Sequence, residues 1–135
     1  MAALPTYTSS VLNSLNSATD QPKNWLPPLT PWIKINVDAT VRDDRAAGAA
    51  VATDDKGVVL AIRTTGIQCT DPLVAEASAL QLGFKAALEN RWQFVVIEGC
   101  NYFAHNVAAW AISRNAFGDI DGSTLAPEVS NDCSA

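Results

Sequence analysis

The sequence predicts an α/β fold: a mixed sheet whose elements run β-β-β-α-β-α, with helices packed on it. Three observations carry this. "WIKINVDAT" alternates strictly, with Ile33, Ile35 and Val37 apolar and Lys34, Asn36 and Asp38 polar, the period-two signature of a strand. "DPLVAEASALQLGFKAALEN" has helical spacing and a helix-start signal. "FVVI" (Phe94 to Ile97) is a short apolar, β-rich run, as expected of a buried strand.

Each element follows in order. Residues 1–30 read as a flexible leader or linker ending in "NWLPPLTPW", where the Pro27–Pro28 pair disfavours regular helix. The leader is rich in Ser and Thr, contains no arginine, and has neither a basic start nor a continuous apolar core. It therefore reads as neither a transit segment nor a secretory signal. The first strand is "WIKINVDAT". The second, "AAGAAVATDD", is built of small residues. Asp54 to Gly57 ("DDKG") is a turn signal, with Gly57 supplying a positive φ. "VVLAIRTTG" is the third strand, and the three form an antiparallel meander. Asp71 is placed to cap the following helix and Pro72 suits its first position. Leu73, Ala77, Leu80, Phe84, Ala87 and Leu88 are expected to form its buried face. Lys85 and Glu89 are spaced for an ion pair. A right-handed crossover then leads to the fourth strand. Only Glu98, Gly99 and Cys100 separate that strand from a second helix over residues 101–113. The stretch 116–135 is acidic and aperiodic and is expected to be disordered.

Composition narrows the function. Hydrophobic residues make up 48% and charged residues 17%, as in a globular domain. No apolar run reaches the ~20 residues needed to span a bilayer, so no membrane role is expected. The formal charge of −5 argues against a broad basic face for nucleic acid. Three cysteines, Cys69, Cys100 and Cys133, make no even disulfide set, which suits free thiols in a reducing, intracellular compartment.

Three residues stand out chemically. Asp38 ends the first strand on its polar edge and could be a solvated acid. Glu76 interrupts the apolar face of the first helix, where a carboxylate needs a partner, a cation or water. A strand-end Asp brought against a helix Glu suits Mg²⁺, which takes oxygen ligands and keeps several waters. His105, the single histidine, suits a general base, a metal ligand or a partly buried structural side chain.

Taken in order, "NWLPP…PWIKINVDAT", "AAGAAVATDDKGVVLA", "AEASALQLGFKAALE", "FVVIEG" and "CNYFAHNVAAWA" resemble the plant-type ribonuclease H-like domain (RNase H type-1, reverse-transcriptase-like family) over roughly residues 25 to 112. The pairing of "KINVDA" with "AEASAL" is its most specific part. The resemblance implies a ribonuclease H-like mixed sheet with flanking helices. It also implies Mg²⁺-dependent endonucleolytic cleavage of the RNA strand of an RNA–DNA hybrid by two bound ions. Asp38 and Glu76 match the first two catalytic, metal-binding acids, and His105 matches the histidine near the end of the domain. Cys100 falls where the third acid belongs, and a thiol is a poor Mg²⁺ ligand. Between "VVIEG" and "CNYFAHN" the family has a helix and a fifth strand, on the order of 25 residues by typical element lengths. The domain at 31–115 therefore reads as internally truncated, with activity impaired. Its fourth strand should be a bare sheet edge, open to a protein partner by strand addition. The alternative function is a degenerate module that binds nucleic acid or protein without cleaving.

Overall fold

The computed structural model describes residues 25–99, 101–125 and 129. The chain runs β1 (Ile33–Val41), β2 (Ala46–Thr53), β3 (Val59–Ile67), α1 (Pro72–Glu89), β4 (Val95–Gly99), α2 (Tyr102–Arg114) and a two-residue β5 (Gly118–Asp119). The strands form one mixed sheet in the order β4-β1-β2-β3-β5. β1, β2 and β3 are the expected antiparallel meander, and β4 runs parallel to β1. The "DDKG" turn forms as read. Asp54 Oδ1 accepts the N–H groups of Lys56 and Val58, and Gly57 takes φ +79°.

The sheet is covered on both faces, which explains a departure from the expected alternation. β1 is a half-polar strand by pattern, yet Asn36, Asp38 and Thr40 are all buried. The odd positions Ile35 and Val37 pack with Ala79, Ala87, Val95 and Ile97 in the core under α1. On the other side Ala49, Val51 and Ile62 pack with Phe103, Ala104, Val107 and Ala108 of α2. Burying each large aliphatic side chain here contributes about 1.5–3 kcal/mol relative to exposure. These contacts fix where both helices start.

α1 buries only part of the face expected of it. Leu73 is 77% exposed and Leu88 48%, while Ala75, Ala79, Gly83, Ala86 and Ala87 are buried. Large side chains on the sheet leave room only for small ones on the helix. A Cβ on Gly83 would lie 2.9 Å from Val37 Cγ1, so glycine permits the close approach. Leu80 and Phe84 are partly buried at the rim. Asp71 caps the helix as predicted, accepting from the Leu73 N–H at 3.0 Å. Glu89 bonds Arg63 of β3 at 2.6 Å, not Lys85.

The tail also departs from expectation. Residues 116–125 were expected to lack structure, but they supply β5 on the free side of β3 and a 3-10 turn at Gly122–Thr124. Arg63 holds Asp119 at 2.9 Å, and Leu125 and Val129 are buried against α2. The sheet thus has a fifth strand where four were expected, and it lies at the edge opposite β4. Among the described residues no strand pairs with the outer side of β4. Residues 1–24, Cys100 and Cys133 lie outside the described residues, so the leader and the Cys100 reading are not addressed by them.

Candidate active site

Three elements converge where β1 outruns β4. The parallel ladder ends with Val37 beside Gly99, so Asp38 is the first residue of β1 beyond it. Open α/β sheets place ligand sites in such crevices, outside the carboxyl ends of the parallel strands. Glu76 arrives from the second turn of α1. His105 arrives from the first turn of α2, which begins three residues after β4 ends.

That first turn is fixed locally. Asn101 has extended backbone and its Oδ1 accepts the Ala104 N–H at 3.1 Å, while the His105 N–H reaches Asn101 O at 2.8 Å. The imidazole is thereby aimed at β1. His105 Nδ1 lies 3.0 Å from Asp38 Oδ2. The side chain of Asp38 is 10% exposed and that of His105 50%, so a buried acid meets a ring with one side in solvent. Asp38 Oδ1 accepts the Ala39 N–H at 2.9 Å.

Glu76 faces the same place. Burial pushes its carboxyl up to about 7 from 4.5, and the negative charge and hydrogen bond of Asp38 push the same way. A backbone hydrogen bond from Ala39 and the charge of His105 act in opposition. Its Oε2 is buried with no hydrogen-bond partner. His105 is held above its ordinary 6.5, chiefly by the hydrogen bond to Asp38, against the cost of desolvation. Two acids this close compete for one proton unless a cation or imidazolium offsets them.

All three residues singled out from the sequence are therefore neighbours. The described residues contain no group of three or more His, Cys, Asp or Glu side chains arranged to hold a metal ion. What suits a cation is narrower: the oxygens of Asp38 and Glu76, of which Glu76 Oε2 has a lone pair with no other use. Sequence reasoning missed two neighbours, Thr40 on the same face of β1 and Arg42 just beyond its end. Thr40 is buried two residues beyond Asp38, and Arg42 Nη1 donates to Thr40 Oγ1 at 3.4 Å. Thr40 already lay within the strand as read, on its polar side, and Arg42 lies one residue past the strand's end at Val41.

The reverse-transcriptase-like family matches residues 36–111, more than half of the 135-residue chain, and this span includes Asp38, Glu76 and His105. Among solved structures, RNase H1 from the halophilic archaeon Halobacterium salinarum is 19% identical, with 76% of this chain and 71% of that one covered, at a TM-score of 0.48. LC11-RNase H1 in complex with an RNA/DNA hybrid is 20% identical over 74% of this chain and 70% of that one, at a TM-score of 0.46. No curated protein matches. The chain belongs to the reverse-transcriptase-like family, and its domain is ribonuclease H-like.

Proposed function

We propose that this chain binds RNA–DNA hybrids at the Asp38–Glu76–His105 site with the help of a divalent cation, Mg²⁺ in the cell, and that its endonucleolytic activity is impaired. One observation carries the reading: a buried Glu76 oxygen without a partner, beside a second buried acid. Such a pair is costly as two bare carboxylates and is relieved by a hard cation with oxygen ligands. Asp38 and Glu76 would hold the ion. When bound, it would activate water and stabilise the leaving oxygen. Asp38 also orients the imidazole through Nδ1, leaving the exposed side of the His105 ring free to exchange a proton with bound substrate or water.

The impairment rests on what the pair lacks. Two-ion catalysis needs ligands enough to fix both ions in line with the scissile bond, and two carboxylates supply few. Cys100 stands in sequence where the family has its third acid. The direct step from β4 at Gly99 to α2 at Tyr102 is in keeping with an internally shortened domain. The same features favour a second reading, a degenerate module that binds hybrid, or a protein along the β4 edge, without cutting.

The test is an end-labelled RNA–DNA hybrid incubated with the protein and Mg²⁺, beside Asp38→Asn. Hybrid binding with slow RNA-strand cleavage, lost in Asp38→Asn, is the expected result. Binding with no cleavage at any Mg²⁺ concentration would establish the second reading. Absence of binding at low salt would overturn both nucleic-acid readings.

A further inference from the structure

Arg42 occupies a position that the acid site does not explain. It follows the last residue of β1 and closes the tight turn into β2, with its N–H bonded to Arg45 O at 2.7 Å. Its side chain turns back along the strand, and Nη1 reaches Thr40 Oγ1 at 3.4 Å. Asp38 and Thr40 are thus successive residues on one face of β1, and Arg42, just past the strand's end, brings its guanidinium back to Thr40. It lies near enough to His105 to oppose protonation of the ring.

Three of the other described cations are tied to acids, while Lys56 in the β2–β3 turn, Lys85 and Arg91 at and beyond the C-terminal half of α1, and Arg114 at the end of α2 lie on parts of the fold away from the crevice. Lys34 is paired with Glu98, Arg63 with Glu89 and Asp119, and Arg45 with Asp44. Arg42 is exposed and, among the described residues, has no carboxylate within ion-pair distance, although Asp43 and Asp44 follow it. A chain of net charge −5 repels a polyanion, so an unpaired guanidinium beside the acid site has a large share of the attraction to supply. Its planar fork keeps donors free for two oxygens of one phosphate.

We infer that Arg42 is a nucleic-acid contact, binding a backbone phosphate next to the scissile one while Thr40 fixes the orientation of its side chain. This rests on the hybrid-binding function proposed above and names a residue that supports it. The separation follows from the strand. Thr40, where the guanidinium is anchored, lies two residues from Asp38, roughly 7 Å along β1. Arg42 therefore reaches a neighbouring phosphate and leaves the reacting one to the acids.

The experiment measures the affinity of the full chain for a labelled RNA–DNA hybrid between 50 and 200 mM NaCl. It compares the wild type with Arg42→Gln, Arg42→Lys and Arg91→Gln. Arg91 is an exposed cation just beyond the far end of α1, so its loss changes net charge equally without touching the site. Losing one phosphate contact lowers the slope of log affinity against log salt by about 0.9, so wild-type affinity falls about three- to fourfold further than that of Arg42→Gln across this range. Arg42→Gln should show that flattened slope, Arg42→Lys should keep most of the wild-type slope, and Arg91→Gln should match the wild type. Equal slopes for wild type and Arg42→Gln overturn the assignment while leaving hybrid binding intact. Equal flattening in Arg91→Gln also overturns it, since the effect would then be net charge alone. A wild type that binds no hybrid overturns the function and this contact together.

Discussion

Glu76 sets the chemistry of this protein at the smallest scale. Its carboxyl titrates near 7 in the fold against 4.5 ordinarily, so between those values the native state keeps a proton that the unfolded chain has released. That contribution to stability is complete below about pH 4.5 and is lost as pH rises towards 7. His105 adds in the same direction. Its raised value gives a contribution that is full below 6.5 and lost as pH rises through the folded value. The metal-free protein should therefore lose stability as pH climbs from 4.5 to beyond 7. Melting temperatures in a chelator across this range will check it, and Glu76→Gln should flatten the profile. Stability that rises over the same interval would mean that Glu76 is already ionised and well solvated. Glu76 was legible because a carboxylate fits an apolar helix face badly; Asp38 fits the polar side of the alternation and stood out only beside Glu76, and its burial is visible only in the fold. Arg42 was not legible, because its role depends on β1 continuing to Val41 and on the turn that folds its side chain back.

At the scale of elements, α2 is held at its start by very few groups. It begins three residues after β4, and Asn101 ties down the turn that carries His105. Asn101→Ala should cost about 1 kcal/mol in urea denaturation. It should also lower the titration midpoint of His105, read by NMR, as the contact with Asp38 loosens. An unchanged stability and an unchanged midpoint would show that packing of Phe103, Ala104 and Val107 alone positions the helix. The cap at Asp71 and the turn at Asp54–Gly57 could be read from sequence because each is a local hydrogen-bonding device, whereas Asn101, read as the first residue of α2, is its cap. The buried face of α1 could be read only in part. Which stripe of a helix is buried depends on the volume opposite it, and here Ile35, Val37 and Ile97 admit alanines and a glycine while turning Leu73 and Leu88 outward.

The whole molecule is an asymmetric sheet. One edge, β3, is partly closed by β5 and the Arg63 ion pairs. At the other edge, β4 pairs only with β1 among the described residues. Edge strands of this kind leave alternate amides without partners. Native-state hydrogen exchange should find alternate amides of Val95–Gly99 exchanging far faster than those of β1 and β2. Uniform protection along β4 would mean that something covers this edge, in cis or as a second chain. The meander and the mixed character of the sheet followed from strand count and the helical crossover; which strand β4 joins did not. The strand added by the tail did not, since Gly118 and Asp119 carry no strand pattern and are recruited by Arg63 and Thr64. No helix among the described residues is long and apolar enough to cross a membrane.

The account stands on Asp38 and Glu76 sharing a divalent ion. Calorimetric titration of the full chain with Mg²⁺ at pH 8, where Glu76 is ionised, tests this most directly. The account predicts weak saturable binding that is lost in Asp38→Asn and in Glu76→Gln and kept in Arg91→Gln. Binding that survives both acid substitutions, or a wild type that takes up no Mg²⁺ or Mn²⁺ at millimolar concentrations, would contradict it.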